Sequence, residues 1–324
     1  MTGTRERRSI PIGIGEAWAL TTALAYTATN VLLRAAAVDI DPWLGSMLRQ
    51  VPVALLAWVV VVIGRQAEVW PASDRFLGWR FAAALVAGGT LAFVIGNFLN
   101  FNALSTGGLG VTASGTTAGM VLTGFLAGLL VLREGPTRYG WAGAAILIAG
   151  LVLVGIARGD VAEGWIAGLF LALGAGAGYA SANVLTRLVQ RTRPTTFVAL
   201  AGSSLGGLGP LLVIQLVRGG GNPLAGADAT QVLLVLAAGC FNALALVGIV
   251  QSAKHVPVAV ATSIQSATVV FSFIAAIVIF SEAAPPLMVA GVTAVAVGIV
   301  IAQFRRATAK SSPVGGSAHD SADS

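Results

Sequence analysis

The chain has 324 residues, 56% of them hydrophobic and 10% charged, with a mean hydropathy of +0.86. Soluble domains carry roughly a quarter charged residues, so this chain lacks the polar surface to face water and reads as an integral membrane protein. A pI near 10.4 would suggest nucleic acid in a soluble protein, but here the basic residues flank apolar runs, and the single Cys240 excludes an intramolecular disulfide or a cysteine metal cluster.

Residues 1–13 form a polar segment with Arg5, Arg7 and Arg8, expected in the cytoplasm. A basic start before an apolar run resembles a signal peptide, yet the run continues too long and is read as an uncleaved first span. A hydrocarbon core of about 30 Å needs about 20 apolar residues per helix. Ten such runs predict helices over 14–35, 44–63, 77–103, 109–132, 139–157, 165–185, 196–217, 232–252, 258–280 and 286–304. Short connections marked by Pro, Gly or charge separate them. The tail, 305–324, is small and polar and is expected to be disordered. Alternating ten-residue strands are absent, which argues against a β-barrel.

Charge placement orients the runs. With the N-terminus in the cytoplasm, fifteen of the nineteen Lys and Arg residues fall on the cytoplasmic side, the exceptions being Arg34, Arg49, Arg158 and Arg218. The expected fold is therefore all-α and integral to the membrane, with ten transmembrane helices and both termini cytoplasmic. Trp18, Trp43, Trp79, Trp141 and Trp165 lie near helix starts, as an interfacial belt requires, while Trp58 is mid-helix.

The chain repeats internally. Its fourth run, GVTASGTTAGMVLTGFLAGLLVLREGP, and its ninth, VAVATSIQSATVVFSFIAAIVIFSEAAP, both end in a lone Glu followed by Pro; Glu134 and Glu282 are 148 residues apart. The first and sixth runs share Glu16-Ala17-Trp18 with Glu163-Gly164-Trp165, and Asn30-Val31-Leu32-Leu33-Arg34 with Asn183-Val184-Leu185-Thr186-Arg187. Five helices per half is an odd number, so the halves, 14–157 and 158–304, cross in opposite senses as two inverted five-helix repeats. Inverted repeats are the usual architecture of secondary transporters, with substrate near the midplane. The glycine pairs Gly115/Gly119 and Gly124/Gly128 are expected to allow close packing against a helix that moves.

These features together resemble the EamA-type permeases, the ten-helix branch of the drug/metabolite transporter superfamily. The resemblance rests on the two five-helix halves, Pro42-Trp43-Leu44 with Arg49 at the start of the second run, Asn102-Ala103-Leu104 closing the third, and a fourth run ending at Glu134 before a Gly-rich fifth. It covers about residues 15–304. Many members carry a Pro within the fourth and ninth helices; here Gly115-Thr116-Thr117 and Ser263-Ile264-Gln265 stand there instead. The resemblance implies ATP-independent export or exchange of small metabolites across the cell membrane, plasma or inner, with helices 1, 3, 4, 6, 8 and 9 around a central cavity.

Polar groups in a bilayer are costly unless they pair or face a cavity. Cavity candidates in the first half are Tyr26, Asn30, Asn97, Asn100, Phe101, Thr112 and Thr116, and in the second Tyr179, Asn183, Asn242, Gln251, Thr262, Gln265 and Ser266. The first set lies at the middle or in the outer half of the membrane and the second at the middle or in the inner half, an inversion that an in-plane two-fold axis predicts. The competing reading is that these groups only join helices. Arg49 is expected to snorkel outward, with steering of an anionic substrate as its alternative. Glu134 and Glu282 are expected to cap the helix that follows each of them. No carboxylate falls deep within a run, which favours facilitated or exchange transport over obligatory proton coupling.

No catalytic residue, metal ligand or cofactor is expected. A polytopic enzyme would need clustered acids or histidines, and Asp39/Asp41 is the only close acidic pair. No Gly-rich phosphate loop with Lys is present, so ATP hydrolysis is excluded. A flippase for an amphiphilic, lipid-linked intermediate shares the architecture and stands as the alternative function. The expected partners are a small-molecule substrate and the lipid bilayer, not nucleic acid, and a homodimer is admitted.

Overall fold

The computed structural model describes residues 13–130, 138–158, 164–190, 195–222, 224, 227–256 and 258–303. The N-terminal arginines, Glu134 and the polar tail lie outside the described residues. Among those described, the regular structure is entirely helical: α1 (Ile14–Ala36), α2 (Pro42–Ile63), α3 (Trp79–Gly89), α4 (Asn97–Leu130), α5 (Arg138–Arg158), α6 (Trp165–Gln190), α7 (Thr196–Arg218), α8 (Ala229–His255), α9 (Val258–Gln265), α10 (Ala267–Phe280) and α11 (Pro286–Gln303). Among the described residues six helical stretches are long and apolar enough to cross a membrane, one of them, Trp79–Ala127, interrupted at Gly108, and α10 and α11 are shorter apolar helices. Helices suit this setting because every internal backbone group is bonded within its own segment.

Helix starts follow capping chemistry. The Asp41 carboxylate accepts the Trp43 and Leu44 N–H groups at 3.1 and 3.0 Å, and Pro42 supplies a first-turn residue that needs no acceptor. Asp228 accepts the N–H groups of Thr230 and Gln231 at the start of α8. Asp41 also accepts Arg218 Nη1 at 2.9 Å and Gln215 Nε2 at 3.1 Å, tying the start of α2 to the end of α7. The ion pair is well exposed, so most of this residue's value lies in the cap. Asp41→Asn should therefore cost below about 1 kcal/mol in thermal or SDS unfolding, and Asp41→Ala about 1–2 kcal/mol. Equal losses would mean the charge, not the cap, is what matters.

The third and fourth runs make up one stretch, Trp79–Ala127, but as two helices that part at Gly108, within the connection expected between them. It contains a π-helical segment at Thr90–Gly96 and turns at Gly108, whose φ of 76° favours glycine. The ninth run, expected as one helix, is interrupted at Ser266 between α9 and α10, although Ser266 itself keeps right-handed dihedrals (φ −64°, ψ −15°). There the Thr268 hydroxyl donates to the Gln265 carbonyl at 2.7 Å and to Ala23 of α1 at 3.2 Å, giving the backbone an alternative to a continuous helix.

Each half embraces the first helix of the other. Helix α1 packs on α8, α9 and α10, and α6 packs along α4 and beside α3. Gly115, Gly119 and Gly176 make the α4–α6 contact close: an added Cβ at any of them would meet side-chain or backbone atoms of the facing helix. Gly124, expected to serve the same purpose, has nothing within 4 Å of an added Cβ. The closing helices α5 and α11 also meet backbone to backbone. Gly143 faces Gly298 and Gly150 faces Gly291. The 148-residue offset that relates Glu134 to Glu282 also relates Gly143 to Gly291 and Gly150 to Gly298. The interface is thus self-complementary between the repeats, as a two-fold relation demands.

Candidate functional site

Three polar residues within the spans, Arg49, Asn97 and Tyr179, meet where the halves pack. Arg49 of α2 is 8% exposed, and the expected outward snorkelling does not occur. It stands seven residues into its helix, roughly 10 Å from the start at 1.5 Å per residue. Its Nη1 donates to Asn97 Oδ1 at 3.2 Å and to the Tyr179 hydroxyl at 3.4 Å; the same hydroxyl donates to Asn97 Oδ1 at 2.8 Å. Two residues of the first half and one of the second thus share one network. Tyr26 of α1 is half-buried and within electrostatic reach of Arg49 and Tyr179. One turn along α4 from Asn97, Asn100 donates from Nδ2 to the Thr116 hydroxyl at 3.3 Å. That bond spans the turn at Gly108, because Asn100 and Thr116 lie on opposite sides of it.

Among the described residues, several polar atoms of α2 and α4 are buried without a hydrogen-bond partner: Arg49 Nε, Asn100 Oδ1, Thr112 Oγ1, Ser114 Oγ and both amide atoms of Gln50. Buried polar groups are nearly always satisfied, so such a concentration is unusual for a purely structural core. Gln50 and Ser114 are additions to the sequence-derived set. Both are fully buried, and the only signal for them was a polar residue within an apolar run.

The other candidates are distributed differently. Asn30 donates to the Ser272 hydroxyl at 3.3 Å, a further bond between the halves through a residue the sequence did not single out. Phe101 is 1% exposed and belongs to the apolar cluster with Leu33, Leu44 and Leu104, its ring closing on Gly45. Asn242 and Ser266 are buried, and Gln251 and Gln265 half-buried; no hydrogen bond among the described residues joins Asn242, Gln251 or Gln265 to the Arg49 network. Asn183 is exposed, unlike its repeat partner Asn30. The Thr262 side chain lies outside the described residues.

Glu282 departs from expectation. Its carboxylate instead reaches the turn at Gly108, accepting the N–H groups of Leu109 at 2.8 Å and Gly110 at 3.4 Å, and accepts Arg34 Nε at 3.4 Å. The carboxylate therefore sits on the freed N-terminus of the second part of α4, where the helix dipole favours an anion. Gly108 is required twice over, by its φ and because an added Cβ would stand 2.6 Å from Glu282 Oε1. The ends of α1 and α10 and the bend in α4 are fastened together at this one carboxylate.

Comparison with known proteins agrees with this architecture. The family model described as the EamA-like transporter family matches residues 13–156 and again 166–304, one match to each half. A solved structure described only as the crystal structure of a protein matches at 18% identity and a TM-score of 0.61, over 92% of this chain and 99% of that one, which shows a shared fold. No curated protein matches significantly. Two family matches covering most of the chain, on an all-helical apolar fold, place it plainly: this multi-pass membrane protein belongs to the EamA-like transporter family of the drug/metabolite transporter superfamily.

Proposed function

We propose that the chain is a secondary carrier with ten spans, both termini cytoplasmic, resident in the cell membrane. It moves a small organic metabolite by export or exchange, without ATP. The substrate binds between the inverted halves and reaches alternate sides as they rock. The observation that carries this reading is the network of Arg49, Asn97 and Tyr179, which joins the two halves through side chains that neither a scaffold nor a lipid-facing surface needs. The break at Gly108 supplies a discontinuous helix in the same stretch as Asn97, and segments of this kind line transporter sites. The glycine-lined α4–α6 contact lets one half slide on the other.

Accessibility tests the reading. In a Cys240→Ser background, Thr116→Cys and Gln265→Cys should react with a membrane-impermeant thiol reagent, each from one side at a time and more slowly with substrate present. If neither position reacts from either side, in any condition that supports transport, the central pathway is wrong.

A further inference from the structure

Arg49 carries a positive charge that the surrounding protein does not balance. Every described carboxylate lies at a helix end or in a connection: Glu16, Asp39, Asp41, Glu68, Asp74, Asp228 and Glu282. Arg34 is paired with Glu282 and Arg218 with Asp41. Among the described residues Arg49 has only neutral partners, the Asn97 amide oxygen and the Tyr179 hydroxyl, both on Nη1. Its Nε is buried without an acceptor. An ionised group inside the hydrocarbon region is expensive and is retained where a function uses it.

We infer that Arg49 is the binding group for a carboxylate of the transported solute, and that the substrate class is a small monocarboxylate bearing a second hydrogen-bonding group. This rests on the carrier reading above. The guanidinium is a planar fork, and Asn97 with Tyr179 fixes one arm of it. The Nε side is left for an oxyanion, which two parallel N–H donors grip with defined geometry. The charge count selects the anion: one unbalanced cation matches a carboxylate, whereas a phosphate dianion would bring surplus negative charge that no second described cation in the spans meets. A second unpartnered atom defines the other end: Asn100 Oδ1, one turn from Asn97, is an acceptor without a donor, and Thr112, one turn before the Thr116 that Asn100 bonds, has a free hydroxyl. A solute carrying a hydroxyl group beside its carboxylate satisfies both ends without adding a second charge, so hydroxy acids fit better than simple fatty acids and better than amino acids, whose ammonium would meet no carboxylate among the described residues of the spans. Binding would also bring to the site the negative charge that Arg49 lacks.

The test uses purified full-length protein in proteoliposomes and in detergent, with a panel of amino acids, hydroxy acids, their amides, their decarboxylated amines and inorganic phosphate. Ligand-induced thermal shift reads binding, and uptake of labelled solute reads transport. The expected result is stabilisation by at least one carboxylate and none by its amide. Arg49→Lys, which keeps charge but loses the fork, should weaken that binding by about tenfold or more. Arg49→Gln, which can still bond Asn97, should abolish it while remaining folded by its unliganded melting curve. If amides or amines bind as well as acids, if only phosphate binds, if no carboxylate binds, or if Arg49→Gln binds the acid normally, the inference is overturned. Uptake of neutral or cationic solutes in those cases would leave the carrier reading standing. Carboxylate binding without uptake would support the inference and count against the carrier.

Discussion

Glu282→Ala is expected to destabilise the fold by about 3 kcal/mol, more than any exposed charge deletion in this chain, because it leaves Arg34 partly buried without its counter-ion and frees two helix N–H groups at once. The Glu282 side chain is 9% exposed and that of Arg34 20%, so water recovers little of the loss. Arg34 lies over the Phe280 ring, which holds it near the vacated position rather than letting it swing free. Glu282→Gln should cost less, about 1–2 kcal/mol, since an amide oxygen can still accept from Leu109 while the ion pair is gone. Unfolding in SDS or heat, read by intrinsic tryptophan fluorescence, gives the ranking wild type, Glu282→Gln, Glu282→Ala. If alanine and glutamine are equally mild, the carboxylate is a surface group and its contact with the α4 bend is incidental. The same substitutions should slow transport, because the carboxylate couples the ends of α1 and α10 to the bend that lies beside the polar network.

The contrast between Glu282 and the apolar runs shows what a sequence can reveal about this fold. Spans are local: a stretch without charge must lie in lipid or in a core, and α1, α2 and α5 to α8 overlap their predicted runs closely. The duplication is equally readable, since offsets survive in Glu134/Glu282 and Asn30/Asn183. Side-chain direction is not. Arg49 stands near enough to a helix end that snorkelling satisfied the sequence reading, and only its bonds to Asn97 and Tyr179, 48 and 130 residues away, turn it inward. Glu282 precedes a helix and looks like its cap, yet its partners are 173 residues upstream. Asn97, Asn100 and Tyr179 were legible because an amide or phenol in lipid needs a partner. The interruption at Ser266 was not, since an eight-residue helix and its successor together have the same apolar content as one long helix. Gly124 failed for a related reason: glycine spacing marks a face that permits close approach, and only the fold says whether a neighbour takes it.

That last distinction yields the second large effect. At the α5–α11 contact a Cβ on Gly150 would stand 2.7 Å from the Gly291 carbonyl oxygen and the Val295 nitrogen, and a Cβ on Gly298 2.7 Å from the Leu147 nitrogen. These obstacles are backbone, which cannot rotate away as a side chain would, so the helices themselves must separate. Val at either position should therefore cost about 3 kcal/mol, the upper end for overpacking. Because the interface maps onto itself under the repeat, Gly150→Val and Gly298→Val should lose stability equally within about 0.5 kcal/mol, and the double variant should lose less than the sum because one separation relieves both clashes. Gly124→Val, with open space around it, should stay within about 0.5 kcal/mol of wild type. Paired SDS-unfolding curves decide the matter: if Gly124→Val is as damaging as Gly150→Val, helix propensity and not interhelical approach governs these glycines, and unequal losses at Gly150 and Gly298 would remove the two-fold relation from this interface.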